Sequence, residues 1–316
     1  MPGHYLQRLK IRQLDLLVAI NDHRSLRAAA DIVGLSQPAV TKTLKLMEED
    51  LGLTLFDRTN RGVSPTEYGV ILVRHARSIL AQLRQAGDEL ADLTGGIGGR
   101  VVLGTLLTAS ESIIPAAIIS LRQQRPGVTV KIVTGTNDVL MPALIQGDID
   151  LVVGRLPEFR YRSGIQQEAL YDEDVVCVVR SGHPLLKKGQ LSLSMVQSEE
   201  WILPPQQTTL RRQIDRAFLG SGLEPPFCSV ESVALLANRA LLKASDAIGI
   251  GPSNMYQEDI ETGSLTALPL TLNISKSPVG VSIRSDHPLS PTARAFLEEL
   301  KVASGVAMRA AESSEA

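Results

Sequence analysis

Between Ser25 and Arg61 the chain sets out short polar and basic side chains at spacings that suit a nucleic-acid duplex: Ser25, Arg27, Ser36, Gln37, Pro38, Thr41, Lys42, Lys45, Arg58 and Arg61. Lys and Arg neutralise phosphates and release counterions, while amides and hydroxyls offer donors and acceptors to base edges. No other set of residues is as suggestive. The five histidines are scattered, and His183 and His287 each precede proline. No Ser/His/Asp, metal-ligand or P-loop pattern emerges, so catalysis is not expected and no cofactor or metal is implied.

Helices must position those side chains. From Ile11 to Asn21, apolar residues at 11, 14, 17 and 18 form one helical stripe. Ser25 reads as the N-cap of a second helix with Leu26, Ala29, Ala30 and Val33 inward, and Gly34 as its left-handed end. Ser36 caps a third, where Pro38 is tolerated because first-turn amides lack intrahelical partners. There Val40, Leu44, Met47 and Leu51 face inward, and Pro38, Lys42, Lys45 and Glu49 fall opposite with Thr41 at the border. An anchored apolar back behind short polar and basic groups is what a recognition helix requires. After Gly52, Leu53, Leu55 and Phe56 read as strand and Asn60-Arg61-Gly62 as a turn, with Arg58 and Arg61 at its tip for phosphate or minor groove.

The order AAA, SQPAVTKTLKLMEEDLG, LFDRT-RG and TEYG resembles the LysR-type transcriptional regulators. Met47-Glu48 stands where that family has Leu-Glu, a volume-conserving swap. Ser64-Pro65-Thr66 replaces the family's Leu-Thr entry to the next helix, leaving either Ser64 or Thr66 as its cap. The resemblance implies operator DNA as a partner, self-association as dimer and tetramer, contact with RNA polymerase and a small-molecule effector.

From Tyr68, residues Tyr68, Leu72, His75, Ile79, Leu83, Ala86, Leu90 and Leu93 follow spacings near a heptad seam. About 28 residues at 1.5 Å each span about 42 Å, longer than a small domain needs, so the seam reads as a dimerisation helix carried by Tyr68, Leu72, Ile79, Leu83 and Leu90. His75 on that seam is expected to be packed or hydrogen-bonded. The glycines at 95, 96, 98 and 99 read as a hinge.

Beyond it, RVVLGTL, VTVKIVT and IDLVVG alternate with helical stretches near 112–124 and 138–146, the last followed by a loop. This is α/β punctuation with a mostly parallel sheet. EDVVCVVR, EWILP, FCSVES and AIGIGP form a second set before SPVGVSI and the helix 290–303. Two lobes joined near 169–172 and 267–270 follow, similar to the effector domain of the same family and to periplasmic binding proteins. The expected architecture is thus multidomain α+β and α/β. A winged helix-turn-helix covers 1–66, a linker helix 67–94, a hinge 95–99 and a two-lobed effector domain 100–304. The first lobe takes 100–169 and 268–304, the second 170–267, and residues 305–316 form a frayed tail.

Ligands of such sheets sit beyond the carboxyl ends of strands, where helix N-termini offer amides. That geometry selects Thr105, Thr108, Ser110 and Ser112 after the first strand, Thr136 and Asn137 after the second, Arg155 after the third, and the loop Pro204–Thr209, including Thr208. The resemblance singles out Thr108 and Thr136. Hydroxyls, amides and Arg155 suit a carboxylate or another small anion.

Composition bounds the alternatives. At 316 residues with 44% hydrophobic and 21% charged residues, two or three soluble domains are expected. Residues 1–66 carry nine Lys/Arg against seven Asp/Glu, or +2, which leaves −4 for the rest of the −2 chain. Only local cations need face DNA. The sequence shows no apolar signal region and no 18-residue apolar run, so a cytoplasmic protein without membrane contact is expected. Cys177 and Cys228 lie in apolar runs and read as buried thiols; a thiol-based redox regulator on the same architecture is the alternative. A transport binding protein or enzyme with an accessory DNA-binding module is a more distant one.

Overall fold

The computed structural model describes all residues except 1–5, 7–8, 60–61, 94–97, 107–108, 110–112, 158–163, 273, 275–276, 286 and 315–316. The chain divides into two compact units, one carrying residues 1–94 and the other essentially 95–316.

In the first unit, α1 (Ile11–His23), α2 (Leu26–Val33) and α3 (Gln37–Leu51) surround one core with Leu16, Leu17, Ile20, Ala29, Ala30, Val40, Leu44 and Met47. The alanines of α2 let its neighbours approach closely. Ser25 Oγ accepts from Ala28 N at 3.3 Å and Ser36 Oγ from Ala39 N at 3.4 Å, so both expected N-caps form. Gly34 ends α2 at φ 67. On α1 the buried set is Leu14, Leu16, Leu17, Ala19 and Ile20, whereas Ile11 is exposed. The sequence stripe 11, 14, 17 and 18 is too narrow and starts too early, because α1 is covered from two sides, by α2 and by the long helix α4 (Glu67–Leu93).

Strands β1 (Phe56–Thr59) and β2 (Gly62–Pro65) pair antiparallel as the wing, with Phe56, Leu55 and Val63 rooted in the core. Leu53 and Leu55 precede the strand rather than lie in it. Thr66 settles the capping alternative: its Oγ1 accepts from Gly69 N at 3.1 Å and donates to Thr54 O at 2.7 Å, while Ser64 belongs to β2. Helix α4 then runs Glu67–Leu93.

In the second unit β3 (Gly98–Thr105), β4 (Gly127–Thr134) and β5 (Leu151–Arg155) are parallel, with α5 (Ile113–Gln124) and α6 (Asn137–Gln146) between them. The sheet order is β4-β3-β5-β12-β6, where β12 (Ser277–Arg284) runs antiparallel to both neighbours, β5 and β6 (Ile165–Glu173). Strand β6 (Ile165–Glu173) occupies a stretch expected to be loop and first crossing. Its residues QQEALYDE show polar runs typical of a half-exposed sheet edge, and the sequence lacks the apolar run that marks the central strands.

The second sheet is β11-β7-β10-β8-β9, formed by β7 (Val175–Arg180), β8 (Trp201–Leu203), β9 (Cys228–Glu231), β10 (Ile248–Pro252) and β11 (Leu265–Ala267). A one-turn helix α7 (Leu193–Val196) precedes β8. Helices α8 (Thr209–Gly220), α9 (Leu235–Ala244) and α10 (Ser253–Glu261) complete this lobe. Trp201 and Phe218 meet edge-to-face at 6.0 Å in its core.

The lobe crossings differ from expectation. The first passes through Asp174, between β6 and β7, and the second lies between the Leu191–Leu270 bridge and Ser277. Leu268, Leu270, Leu272 and Ile274 pack into the second lobe, so burial, invisible to strand punctuation, carries the lobe past 267. Gly98 and Gly99 pair with Gly127 and Val128 as the start of β3, which removes them from the expected hinge; residues 94–97 lie outside the described residues. The last helix, α11, spans Pro291–Ser314, beyond the position 304 at which a tail was expected, consistent with the high helix propensity of its alanines. No helix is long and apolar enough to cross a membrane among the described residues.

Candidate functional site

The first candidate surface is the outer face of α3 with the wing. Val40, Leu44 and Met47 are buried, which turns Gln37, Pro38, Lys42 and Lys45 outward, with Thr41 half-buried at the edge as the spacing predicts. Lys45 Nζ lies 3.5 Å from Glu49, an exposed pair of small energetic consequence that does not commit the lysine. Ser25 and Ser36 accept as caps and keep their hydroxyl protons available. Arg27 and Arg58 are exposed, on α2 and β1. Arg61 lies outside the described residues.

One residue missing from the sequence reading binds this surface together. Glu48 on α3 accepts from Leu55 N at 2.7 Å and Phe56 N at 3.1 Å, through the same carboxylate oxygen. It thereby fixes the wing to the recognition helix with two charge-assisted bonds. Its place beside buried Met47 gave no signal, because the partners are backbone amides seven and eight residues on.

Along α4 of the single chain, Tyr68, His75, Ile79, Leu83 and Leu90 are exposed and Leu72 is half-buried. Tyr68, Ile71, Leu72, His75 and Ile79 border an apolar groove of about 630 Å³ shared with Leu9, Ile11 and Leu53. Large apolar side chains in such a row, rimmed by polar ones, mark an interaction surface.

The second candidate site is a cavity of about 210 Å³ between the two lobes of the second unit. Thr136, Arg155, Pro204 and Thr208 line it, as the strand-end rule expects. Asn137 does not: it is buried, and its Nδ2 donates to the Arg155 carbonyl at 3.4 Å, bracing the end of β5. Thr108 and Ser110 lie outside the described residues. The wall also takes Ser232, Asn238, Gly251 and Tyr256. Ser232 and Gly251 follow or end β9 and β10, so the same rule applied to the second lobe finds them. Asn238 and Tyr256 sit inside helices and carry no such signal.

Four helices begin at this wall: α6 after Thr136, α8 after Thr208, α9 at Leu235 and α10 after Pro252. Thr208 Oγ1 accepts from Arg211 N at 3.2 Å, a side-chain cap that α9 and α10 lack. Thr136 spends its hydroxyl on the Asp138 carboxylate. The remainder is apolar, with Leu106, Ile202, Leu210, Val233, Ile250 and Met255.

Arg155 is not the free cation that its position suggests. It is buried, its Nη2 donates to Glu173 Oε2 at 2.9 Å and its Nη1 to Gln213 Oε1 at 3.1 Å across the lobes. Its Nε, the Oε1 of Glu173 and the Oδ1 of Asn238 are buried without a hydrogen-bond partner. Burial pushes the Glu173 carboxyl up, more than the bond and charge of Arg155 pull it down. Tyr256 is pushed up to about 12, first by burial and despite the nearby Arg239. No group of His, Cys, Asp and Glu able to hold a metal occurs among the described residues.

A profile described as "Bacterial regulatory helix-turn-helix protein, lysR family" matches residues 11–70, and "LysR substrate binding domain" matches 94–304. The chain belongs to the LysR family of transcriptional regulators. It is 37% identical to the "HTH-type transcriptional regulator GbpR" of Azospirillum brasilense over 305 residues, 96% of this chain and 89% of that one. It is 35% identical to "HTH-type transcriptional regulator PcaQ" of Agrobacterium fabrum, covering 95% and 96%. Its fold matches that of full-length CbnR, crystallised with its target DNA, at a TM-score of 0.64 and 23% identity, covering 93% and 100%. This LysR-family chain therefore combines a DNA-binding domain with a substrate-binding domain.

Sheet order bears on the thiol alternative, because it keeps the two cysteines out of disulfide range of each other in this arrangement. Cys177 on β7 and Cys228 on β9 are three strand spacings apart, about 14 Å at ~4.8 Å each. A disulfide needs Cα atoms within about 7 Å. Burial also pushes the Cys177 thiol up, which opposes the thiolate an oxidant needs.

Proposed function

We propose that the regulator reads operator DNA with Ser25, Arg27, Ser36, Gln37, Pro38, Thr41, Lys42, Lys45, Arg58 and Arg61, under control of a small effector held between the lobes. The cavity carries the second half of this reading. At about 210 Å³ it is smaller than the ~300–1,000 Å³ of sites for drug-sized ligands, and it offers an apolar body with one polar end. Uncapped helix starts and Arg155 supply that end, which suits a carboxylate or other small anion, while Asn238 Oδ1 would accept from a ligand hydroxyl. Arg155 would then have to share itself between ligand and Glu173. A ligand that distinguishes two lobe arrangements shifts their balance; binding alone shifts nothing.

The α4 seam would pair chains into dimers, assembling further to tetramers, to match paired half-sites. The role is regulatory and not enzymatic, in the cytoplasm, with RNA polymerase as the downstream partner. Thermal-shift screening with carboxylates and sugars tests the cavity, because a ligand at 100 times its Kd adds about 2.7 kcal/mol. Ligands should lose their shift in a Ser232→Leu or Asn238→Leu variant. A shift that survives both substitutions would remove the effector from this cavity. Lys42→Ala with Arg61→Ala tests the other half: unchanged operator affinity in footprinting would disprove that surface.

A further inference from the structure

Three helices of the DNA-binding domain end in a left-handed residue: α1 at Arg24 (φ 51), α2 at Gly34 (φ 67) and α3 at Gly52 (φ 66). Glycine is the ordinary choice there, because it has no Cβ to crowd the backbone. Arg24 is the only non-glycine residue at positive φ among the described residues. The position is not a loose end. Its carbonyl accepts from Val63 N of the wing at 3.0 Å, and a Cβ on Gly62 would come within 2.7 Å of that same oxygen. Its own backbone nitrogen donates to Ile20 O at 2.9 Å.

Arg24 is thus held by α1 on one side and by the wing on the other, directly before the Ser25 cap of α2. Its side chain is exposed and makes no hydrogen bond or ion pair with any described residue. A strained backbone that keeps a side chain with nothing to hold inside the protein points to a partner outside it. Arg27 and Arg58, exposed on the flanking elements, give that partner its sign: negative.

We infer that the Arg24 guanidinium bonds a DNA phosphate where the helix-turn-helix and the wing meet, setting their common register on the duplex. The inference rests on the DNA-binding reading of this domain. Phosphate contacts position a protein without reading sequence, so no knowledge of the operator is needed to test it. The rival role is internal, a cation favoured by the carbonyl end of α1.

The test uses the full chain and a fluorescein-labelled duplex of mixed sequence, about 30 base pairs long. Anisotropy titrations are run between about 50 and 200 mM salt. Arg24→Gly should weaken binding roughly tenfold and lower the slope of log affinity against log salt by about one per subunit bound. Arg24→Lys should keep the wild-type slope. The glycine variant should melt no lower than wild type, since glycine suits the backbone. Equal salt slopes for wild type and Arg24→Gly would overturn the inference whatever the melting temperature. Failure of the wild type itself to bind the duplex would instead remove the DNA reading.

Discussion

Gly69→Ala should destabilise the DNA-binding domain although helix propensity says the reverse. Within a helix, glycine is worse than alanine by roughly 0.5–1 kcal/mol, so the substitution would stabilise an isolated α4. Gly69, however, faces the segment that precedes the wing. A Cβ there would overlap the Leu55 carbonyl oxygen, well inside 3.0 Å, and would press on Pro65 Cβ at 3.2 Å. Overpacking of this kind costs about 1–3 kcal/mol. The same Leu55 carbonyl accepts from Thr66 N at 2.9 Å, so displacing it also weakens a bond worth about 1 kcal/mol. The net expectation is a loss of about 1–3 kcal/mol, with the wing displaced from α3. Gly87 on the same helix is the control: nothing lies within 4 Å of a Cβ there, so Gly87→Ala should gain the propensity term. Urea denaturation and DNA anisotropy read both variants. Equal stabilisation by the two substitutions would refute the packing argument.

Breaking the buried pair from opposite ends should give unequal results. Arg155→Met strands Glu173 in the interior and should cost about 3 kcal/mol or more. Glu173→Gln keeps an amide oxygen able to accept from Arg155 Nη2 and should cost less than Arg155→Met. The folded-state pKa of Glu173 is raised, so its contribution to stability is present below the ordinary carboxylate range and is lost as pH rises through the folded value. Equal penalties at neutral pH would contradict this. Asp259 shows the opposite sign. Burial raises its pKa, but bonds from Lys243 and Ser264 and the charge of Arg239 outweigh that and leave it lowered. Its stability is therefore present above the unfolded carboxylate value and lost as pH falls through the folded one. Wild type and Asp259→Asn should melt apart near neutrality and converge on acidification; a constant gap would refute the sign. On α4, Ile79→Glu with Leu83→Glu should convert dimers to monomers in sedimentation, and an unchanged sedimentation coefficient would exclude the seam.

Much of the DNA-binding end was legible because its determinants are local. Ser25, Gly34 and Ser36 act within four residues of themselves, and the apolar stripe of α3 follows directly from 3.6 residues per turn. The strand-end rule placed Thr136, Arg155, Pro204 and Thr208 on one wall for a similar reason: topology fixes where strands end. What stayed hidden depends on partners far away in sequence. Edge strand β6 looks like loop because only one face meets the core. Asn137 was misread because a buried amide can brace β5 as readily as it can face a ligand. Above all, Arg155 reads in sequence as a free cation for an anion. Only the fold, by returning Glu173 and Gln213 to within hydrogen-bonding distance, decides that its charge is already engaged, since electrostatics in a buried site depend on every neighbour at once. The sequence by itself determined a DNA-reading motif, a long helix with an apolar stripe and two α/β lobes. The tertiary structure decided which side chains remain free to act: Arg24, by a strained turn, and the rim of the cavity, by the closure of one lobe on the other.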